Sequence, residues 1–183
     1  VRQHTGFFLS MGLGGVFGPI HMNSNVEGEY DMSGTGGLFD FKIGGAVKEN
    51  LILHATILSN SLIGPKITAA GGSVKTSDQL SIGEAMFGGG LTYYFMPSNL
   101  FISGSVGAGN FSIVNQENDY KASTERGLSF QLKAGKEWWV SRRWGLGAAI
   151  TYGKTSVNSK PSNDLQEILS SNRFGILFSA TLN

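Results

Sequence analysis

The chain has 183 residues, a net charge of +1, 27 glycines and no cysteine. Near-neutral charge offers no basic stripe for nucleic acid, and the absence of cysteine excludes a disulfide framework and thiolate metal sites. The length suits one domain, 1–183, and no apolar run approaches the roughly 20 residues of a membrane helix.

The glycine share is well above the usual value of about 7%, yet the glycines are spread through segments that alternate apolar and polar residues. Such a period of two predicts β-strands, because successive side chains point to opposite faces. Strand one covers 6–18, with Phe7, Leu9, Met11, Leu13 and Phe17 on one face. A polar stretch, 21–36, reads as a long loop. Strand two, 37–47, places Phe39, Phe41, Ile43 and Val47 opposite Asp40 and Lys42, and a tight turn at Lys48, Glu49 and Asn50 leads to strand three. There Leu51, Leu53, Ala55 and Ile57 oppose His54 and Thr56.

A second long loop, 60–79, precedes strand four, 80–95, where Ala85, Phe87, Leu91, Tyr93 and Phe95 oppose Glu84, Met86 and Thr92. A short turn at 96–99 leads to strand five, with Leu100, Ile102, Val106 and Ala108 on its apolar face. The third long loop is 110–126. The clearest alternation follows: Leu128, Phe130, Leu132 and Ala134, then, past a turn at 140–143, Trp144, Leu146, Ala148, Ile150 and Tyr152. Lys133 and Glu137 lie on the opposite face. A fourth loop, 154–172, is predicted to hold a short helix at 164–169, and strand eight closes with Phe174, Ile176, Phe178, Ala180 and Leu182 opposite Arg173.

Long and short connections alternate strictly. That asymmetry predicts an eight-stranded antiparallel up-and-down transmembrane β-barrel, its long loops outside the cell and its tight turns in the periplasm. A soluble barrel with an apolar interior would instead scatter charge over its outer face. Here the apolar face carries one charge, Lys136, beside tryptophans where its stem can snorkel. Tyr93, Phe95, Trp138, Trp139 and Trp144 gather near the short turns as an interfacial girdle.

These segments (GKEWWVSRRWGLGAAITY, LTYYFMPSNLFISGSVGAG, RFGILFSATL) resemble the small eight-stranded outer-membrane proteins typified by the OmpA transmembrane domain, OmpX and OmpW. The resemblance covers the whole chain and rests on pattern. It implies residence in a bacterial outer membrane after removal of a signal peptide. It also implies contact with outer-membrane lipid, lipopolysaccharide and other envelope proteins. The last strand, with Phe174, Ile176, Phe178 and Leu182, resembles the signal read by the barrel-assembly machinery, although it ends in Asn183 rather than an aromatic residue.

The inward face collects Asp40, Lys42, Glu84, Lys133, Glu137 and Arg173. Three acids balanced by three bases predict internal ion pairing: Glu84 with Arg173 in one layer, Asp40 or Glu137 with Lys133 and Lys42 in another. His54 near Thr56, Ser59, Ser61 and Glu84 has the residue types of a hydrolytic triad. Lipid A deacylases are barrels of this general kind, but their close His-x-Ser spacing is missing, and an interior histidine with satisfied hydrogen bonds is expected. His4 and His21 fall outside the strands. Gly88, Gly89 and Gly90, and Gly12, Gly14 and Gly15, lack the strand-to-helix setting of phosphate loops. The expectation is a non-enzymatic barrel without metal or cofactor, serving as an anchor or interaction module through long loops. The alternative is a passive conduit for small, apolar molecules.

Overall fold

The computed structural model describes residues 2–26, 28–117, 119–162 and 165–183, and among these all regular structure is β-strand. The strands are β1 (Phe7–Ser24), β2 (Gly28–Lys48), β3 (Leu51–Ile63), β4 (Lys66–Ala69), β5 (Gly72–Lys75), β6 (Leu80–Phe95), β7 (Leu100–Asn115), β8 (Tyr120–Ser123), β9 (Gly127–Trp139), β10 (Trp144–Ser162) and β11 (Leu165–Leu182). Eight of them form the ring β1-β11-β10-β9-β7-β6-β3-β2, which closes through antiparallel pairing of β1 with β2. The small β4–β5 hairpin pairs with β2, and β8 pairs with β7. The chain is an eight-stranded transmembrane barrel.

The turns at one end are tight for a local reason. Asn50 and Asn99 hold the left-handed backbone conformation, φ 63° and 55°, which asparagine tolerates better than most residues. This is the turn end. At the opposite, hairpin end the predicted long loops are largely strand. β1 and β2 run to within a few residues of each other, pairing as far as Ser24 with Gly28, and β10 and β11 pair as far as Ser162 with Leu165. The expected helix at 164–169 is not formed: Leu165 to Leu169 belong to β11, and Asp164 lies outside the described residues. Crossing a bilayer takes roughly 9–11 residues per strand, whereas β2 has 21 and β10 has 19. The excess extends the barrel well past the membrane.

Packing marks where the membrane stops. On the embedded part of β10 the outward side chains are Trp144, Leu146, Ile150 and Tyr152; past Tyr152 they become Lys154, Ser156 and Asn158. The interior changes in the opposite sense. Val16, Ile20, Met32, Leu62, Ile82, Phe111, Val157 and Leu169 form a buried apolar cluster inside the hairpin end. From Trp144 to Tyr152 the strand rises about 26 Å, which a tilt near 40° reduces to about 20 Å of height, close to the apolar band of a transmembrane barrel.

Glycine permits sharp curvature in the wall. Gly88 of β6 faces Gly107 of β7, and an added Cβ at either would meet the partner backbone at 2.0 or 2.2 Å. The triple glycine of β6 thus lets two strands approach closely while bending.

Candidate functional site

Period-two geometry delivers all six inward charges to the lumen, because each lies an even number of residues from an inward neighbour on its strand. Two layers result. In the first, Arg173 Nη1 lies 2.7 Å from Glu84 Oε1, and Ser171 donates to the same carboxylate at 3.1 and 3.2 Å. Arg173 also donates from Nη2 to Thr155 at 3.1 Å. In the second, Asp40 receives two cations: Lys42 Nζ at 2.6 Å and Lys133 Nζ at 3.2 Å. Gln131 accepts a further bond from Lys42 at 3.1 Å, and Lys133 lies 5.5 Å from the Phe101 ring. Lys42 is 1% exposed. Two lysines on one carboxylate repel each other, so the Gln131 oxygen and the Phe101 ring face share the task of holding them. A space of only about 10 Å³, lined in part by Gln131 and Arg173, lies between the layers. That is room for at most about one water.

Of the two acids expected to serve Lys42 and Lys133, Asp40 takes both, and Glu137 lies apart from them. Its Oε1 accepts from Tyr94 at 2.9 Å and from Thr181 at 2.8 Å, and no basic side chain among the described residues is within ion-pair distance. Glu137 sits four residues along β9 from Lys133, about 13 Å at strand rise, which puts it in a third layer nearer the turns.

That third layer closes the turn end. The segment before β1 crosses the mouth: Ala46 N donates to Gly6 O at 2.8 Å, and Asn50 N donates to His4 O at 3.0 Å. His4 is fully buried, with Nδ1 2.8 Å from Asn183 Oδ1 and Nε2 2.7 Å from Asn99 Oδ1. Its ring stacks on Tyr94 with centroids 3.5 Å apart. His4 lies outside the strands, as its sequence position suggests, yet it takes a defined place in the mouth. It lies before the first alternating residue, so periodicity carried no signal for it.

Trp139 requires a correction. The girdle expectation holds it on the outer wall with Tyr93, Phe95, Trp138 and Trp144, and those four are exposed. Trp139 instead shares the inward face of Glu137, two residues earlier, and packs against His4 at 4.8 Å. Arg2 covers it, 5.7 Å from its ring. The WW pair thus splits between the two faces, as a period of two requires.

No protein-family model and no curated protein matches the chain. Solved structures do. Neisserial surface protein A aligns over 99% of both chains at TM-score 0.60 and 11% identity. OprG from Pseudomonas aeruginosa aligns over 98% of this chain and 97% of its own, at TM-score 0.53 and 13% identity. AlkL, determined by solid-state NMR in DMPC bilayers, aligns over 100% and 92%, at TM-score 0.51 and 14% identity. The fold is that of the small outer-membrane β-barrels.

Within this barrel the histidines make no assembled catalytic site. His54 faces the lumen, 3.0 Å from Thr56 Oγ1 and 2.9 Å from Thr92 Oγ1, and the hydroxyl chain continues to Ser103 and Ser105. Ser59 has the opposite parity and is exposed, and Glu84 is committed to Arg173. His21, expected in a loop, stands outward on β1 with Nδ1 2.5 Å from Asp31 Oδ1. Register sets Ser170 across from it on β11. The row Ser170, His21, Asp31 has triad residue types, but Ser170 makes no hydrogen bond to His21 and the His–Asp pair is more than half exposed. It is a solvated surface hydrogen bond.

Proposed function

We propose that the chain is a non-enzymatic barrel of a bacterial outer membrane, with a closed lumen, acting through the part of the barrel that projects beyond the bilayer. The turn end faces the periplasm in this reading, and the hairpin end faces outward. One observation supports it: buried side chains occupy the lumen at three levels. The apolar cluster occupies the hairpin end, two ion-pair layers occupy the middle, and His4 with Tyr94 and Trp139 occupies the turn end.

A lumen occupied in this way leaves the outer surfaces as the working surfaces. The projecting walls of β1, β2, β10 and β11 carry polar side chains such as Asn23, Asp31, Ser156 and Asn158, which suit lipopolysaccharide sugars or other envelope proteins. Insertion would depend on the barrel-assembly machinery reading β11. The test is planar-bilayer conductance of the purified full chain. Wild type stays silent, while Arg173→Ala and Lys133→Ala open the middle layers and raise the frequency of openings. Steady conductance in the wild type sinks the closed-barrel reading and supports a conduit instead.

A further inference from the structure

Within the apolar outer band, Lys136 is the one charged side chain among the described residues. Its ammonium lies 6.0 Å from the Trp138 ring. In register, Lys136 sits between Leu100 of β7 and Ala148 of β10, and the next outward residue, Ala134, sits between Ile102 and Ile150. Two alanines in a wall of large side chains leave a groove of about 610 Å³, bounded by Leu100 and Ile102 on one side and Ile150 and Ile176 on the other. A hollow of similar volume shares Ile102, Ala134 and Ile150 and continues to Tyr152 and Phe174. The two together run along the wall from Lys136 towards the hairpin end.

The charge around the foot of this groove is one-sided. The β9–β10 turn carries Arg142 and Arg143, both exposed, and Arg2 donates to Ser141 O of that turn at 2.9 Å. None of Arg2, Lys136, Arg142 and Arg143 is in an ion pair among the described residues. Of the acids at the turn end, Glu49 belongs to the β2–β3 turn and accepts from Gln3 at 3.0 Å, and Glu137 is buried in the lumen, bonded to Tyr94 and Thr181. Trp138 and Trp144 stand on the same hairpin, at the depth where indole rings meet lipid headgroups. Ordinary lipid solvation of the wall requires neither the cations nor the groove. Cations clustered at a membrane surface attract anionic headgroups, and a groove floored by alanine accepts an alkyl chain.

We propose that this corner binds one anionic glycerophospholipid of the leaflet at the turn end. Lys136, Arg142 and Arg143 hold its phosphate beside Trp138 and Trp144, and an acyl chain lies in the groove over Ala134 and Ala148. The site rests on the membrane reading but is independent of whether the lumen conducts, so silent or open conductance leaves it standing.

The test offers the refolded full chain equal amounts of phosphatidylglycerol and phosphatidylcholine with identical acyl chains, and native mass spectrometry reads what is retained. Wild type retains one phosphatidylglycerol in preference. Lys136→Ala/Arg142→Ala/Arg143→Ala lowers the ratio of the two lipids about tenfold, and Ala134→Phe, which fills the groove, lowers retention of both. Lys66→Ala/Lys75→Ala/Lys154→Ala, at the hairpin end, leaves the ratio unchanged. Should the triple alanine variant fail to give the compact, heat-sensitive gel band of a folded barrel, Lys136→Gln replaces it, keeping the apolar stem. Equal retention of both lipids by wild type overturns the proposal, as does a ratio insensitive to the charge variants. Retention indifferent to Ala134→Phe, or full displacement by glycerol phosphate without acyl chains, likewise overturns it, since a bare anion site would not use the groove.

Discussion

The embedded half of the barrel and its projecting half are built from the same strands with opposite polarity. Along β2, Ile43, Phe41 and Phe39 face out below, and Thr35, Ser33 and Asp31 face out above. The inward residues run the other way, from Lys42 and Asp40 to Leu38 and Met32. The backbone period never changes; the solvent does. Where lipid lies outside, the apolar face turns out and polar groups must pair within the lumen. Where water lies outside, the barrel obeys the rule of soluble barrels, with an apolar interior. The embedded half therefore combines ion pairs and hydrogen bonds with a small apolar cluster of Phe8, Ile52, Tyr94 and Phe101, whereas the projecting half relies on hydrophobic burial.

Single truncations separate these two sources, and they should give the largest effects. Leu169 is 2% exposed and lies across from Val157 in the projecting half, so Leu169→Ala is expected to cost about 2–5 kcal/mol through lost burial and a residual cavity. Glu84→Ala in the embedded half strands Arg173 and is expected to cost a similar 3–5 kcal/mol, roughly the scale for an uncompensated buried charge. The signature distinguishing them is rescue. Replacing both members, Glu84→Met with Arg173→Met, should recover most of the loss, whereas no polar partner rescues Leu169→Asn. Denaturant unfolding in lipid vesicles measures all four. An Arg173–Glu84 pair removable one side at a time with less than about 1 kcal/mol lost would show a wet, screened lumen.

The next effect maps the boundary between the halves. Ile150 and Ser156 lie on the same outward face of β10, three side-chain rows apart. Ile150→Arg places a guanidinium in lipid and should cost about 2–4 kcal/mol. Ser156→Arg lies beyond the boundary and should change stability by no more than about 0.5 kcal/mol. Equal costs at the two sites would place both in the same solvent and erase the boundary at Tyr152.

The reversal of polarity also explains what the sequence reveals and what it hides. Alternation with one sign, apolar out, identifies the embedded strands and their parity, which is why the barrel class, the short turns and the inward side of Asp40, Lys42, Glu84, Lys133, Glu137 and Arg173 are legible. The same alternation with the opposite sign reads as loop. Ile20, Met32, Val157 and Leu169 are spaced among Asn, Ser and Glu, and strands longer than a bilayer needs are not anticipated. Residues placed by tertiary pairing are the least legible. His4 has no strand to give it parity, and nothing local distinguishes the inward Trp139 from the outward Trp138 except a count from Glu137. Charge balance is global and leaves open whether Asp40 or Glu137 takes the lysines; the partners of Glu137, Tyr94 and Thr181, depend on which layer it reaches.

The smallest expected effect concerns a hydrogen-bonded pair that, by distance alone, looks stronger than the buried ion pairs. His21 and Asp31 approach to 2.5 Å, closer than Arg173 and Glu84 at 2.7 Å, yet their side chains are 51% and 60% exposed. Distance is a poor guide when the solvent differs. In the projecting half water screens the pair and competes for both partners, so His21→Ala should cost less than about 1 kcal/mol, and its coupling to Asp31→Ala in a double-mutant cycle should be weaker than that between Glu84 and Arg173. Because the projecting wall is read as a recognition surface rather than a catalytic one, His21→Ala should also leave no ester-hydrolysing activity to lose. A coupling as large as that of the lumen pair would mean that His21 is shielded from water, moving the bilayer boundary above Tyr152. A hydrolytic activity abolished by His21→Ala and by Ser170→Ala would instead make the row across β11, β1 and β2 a working triad.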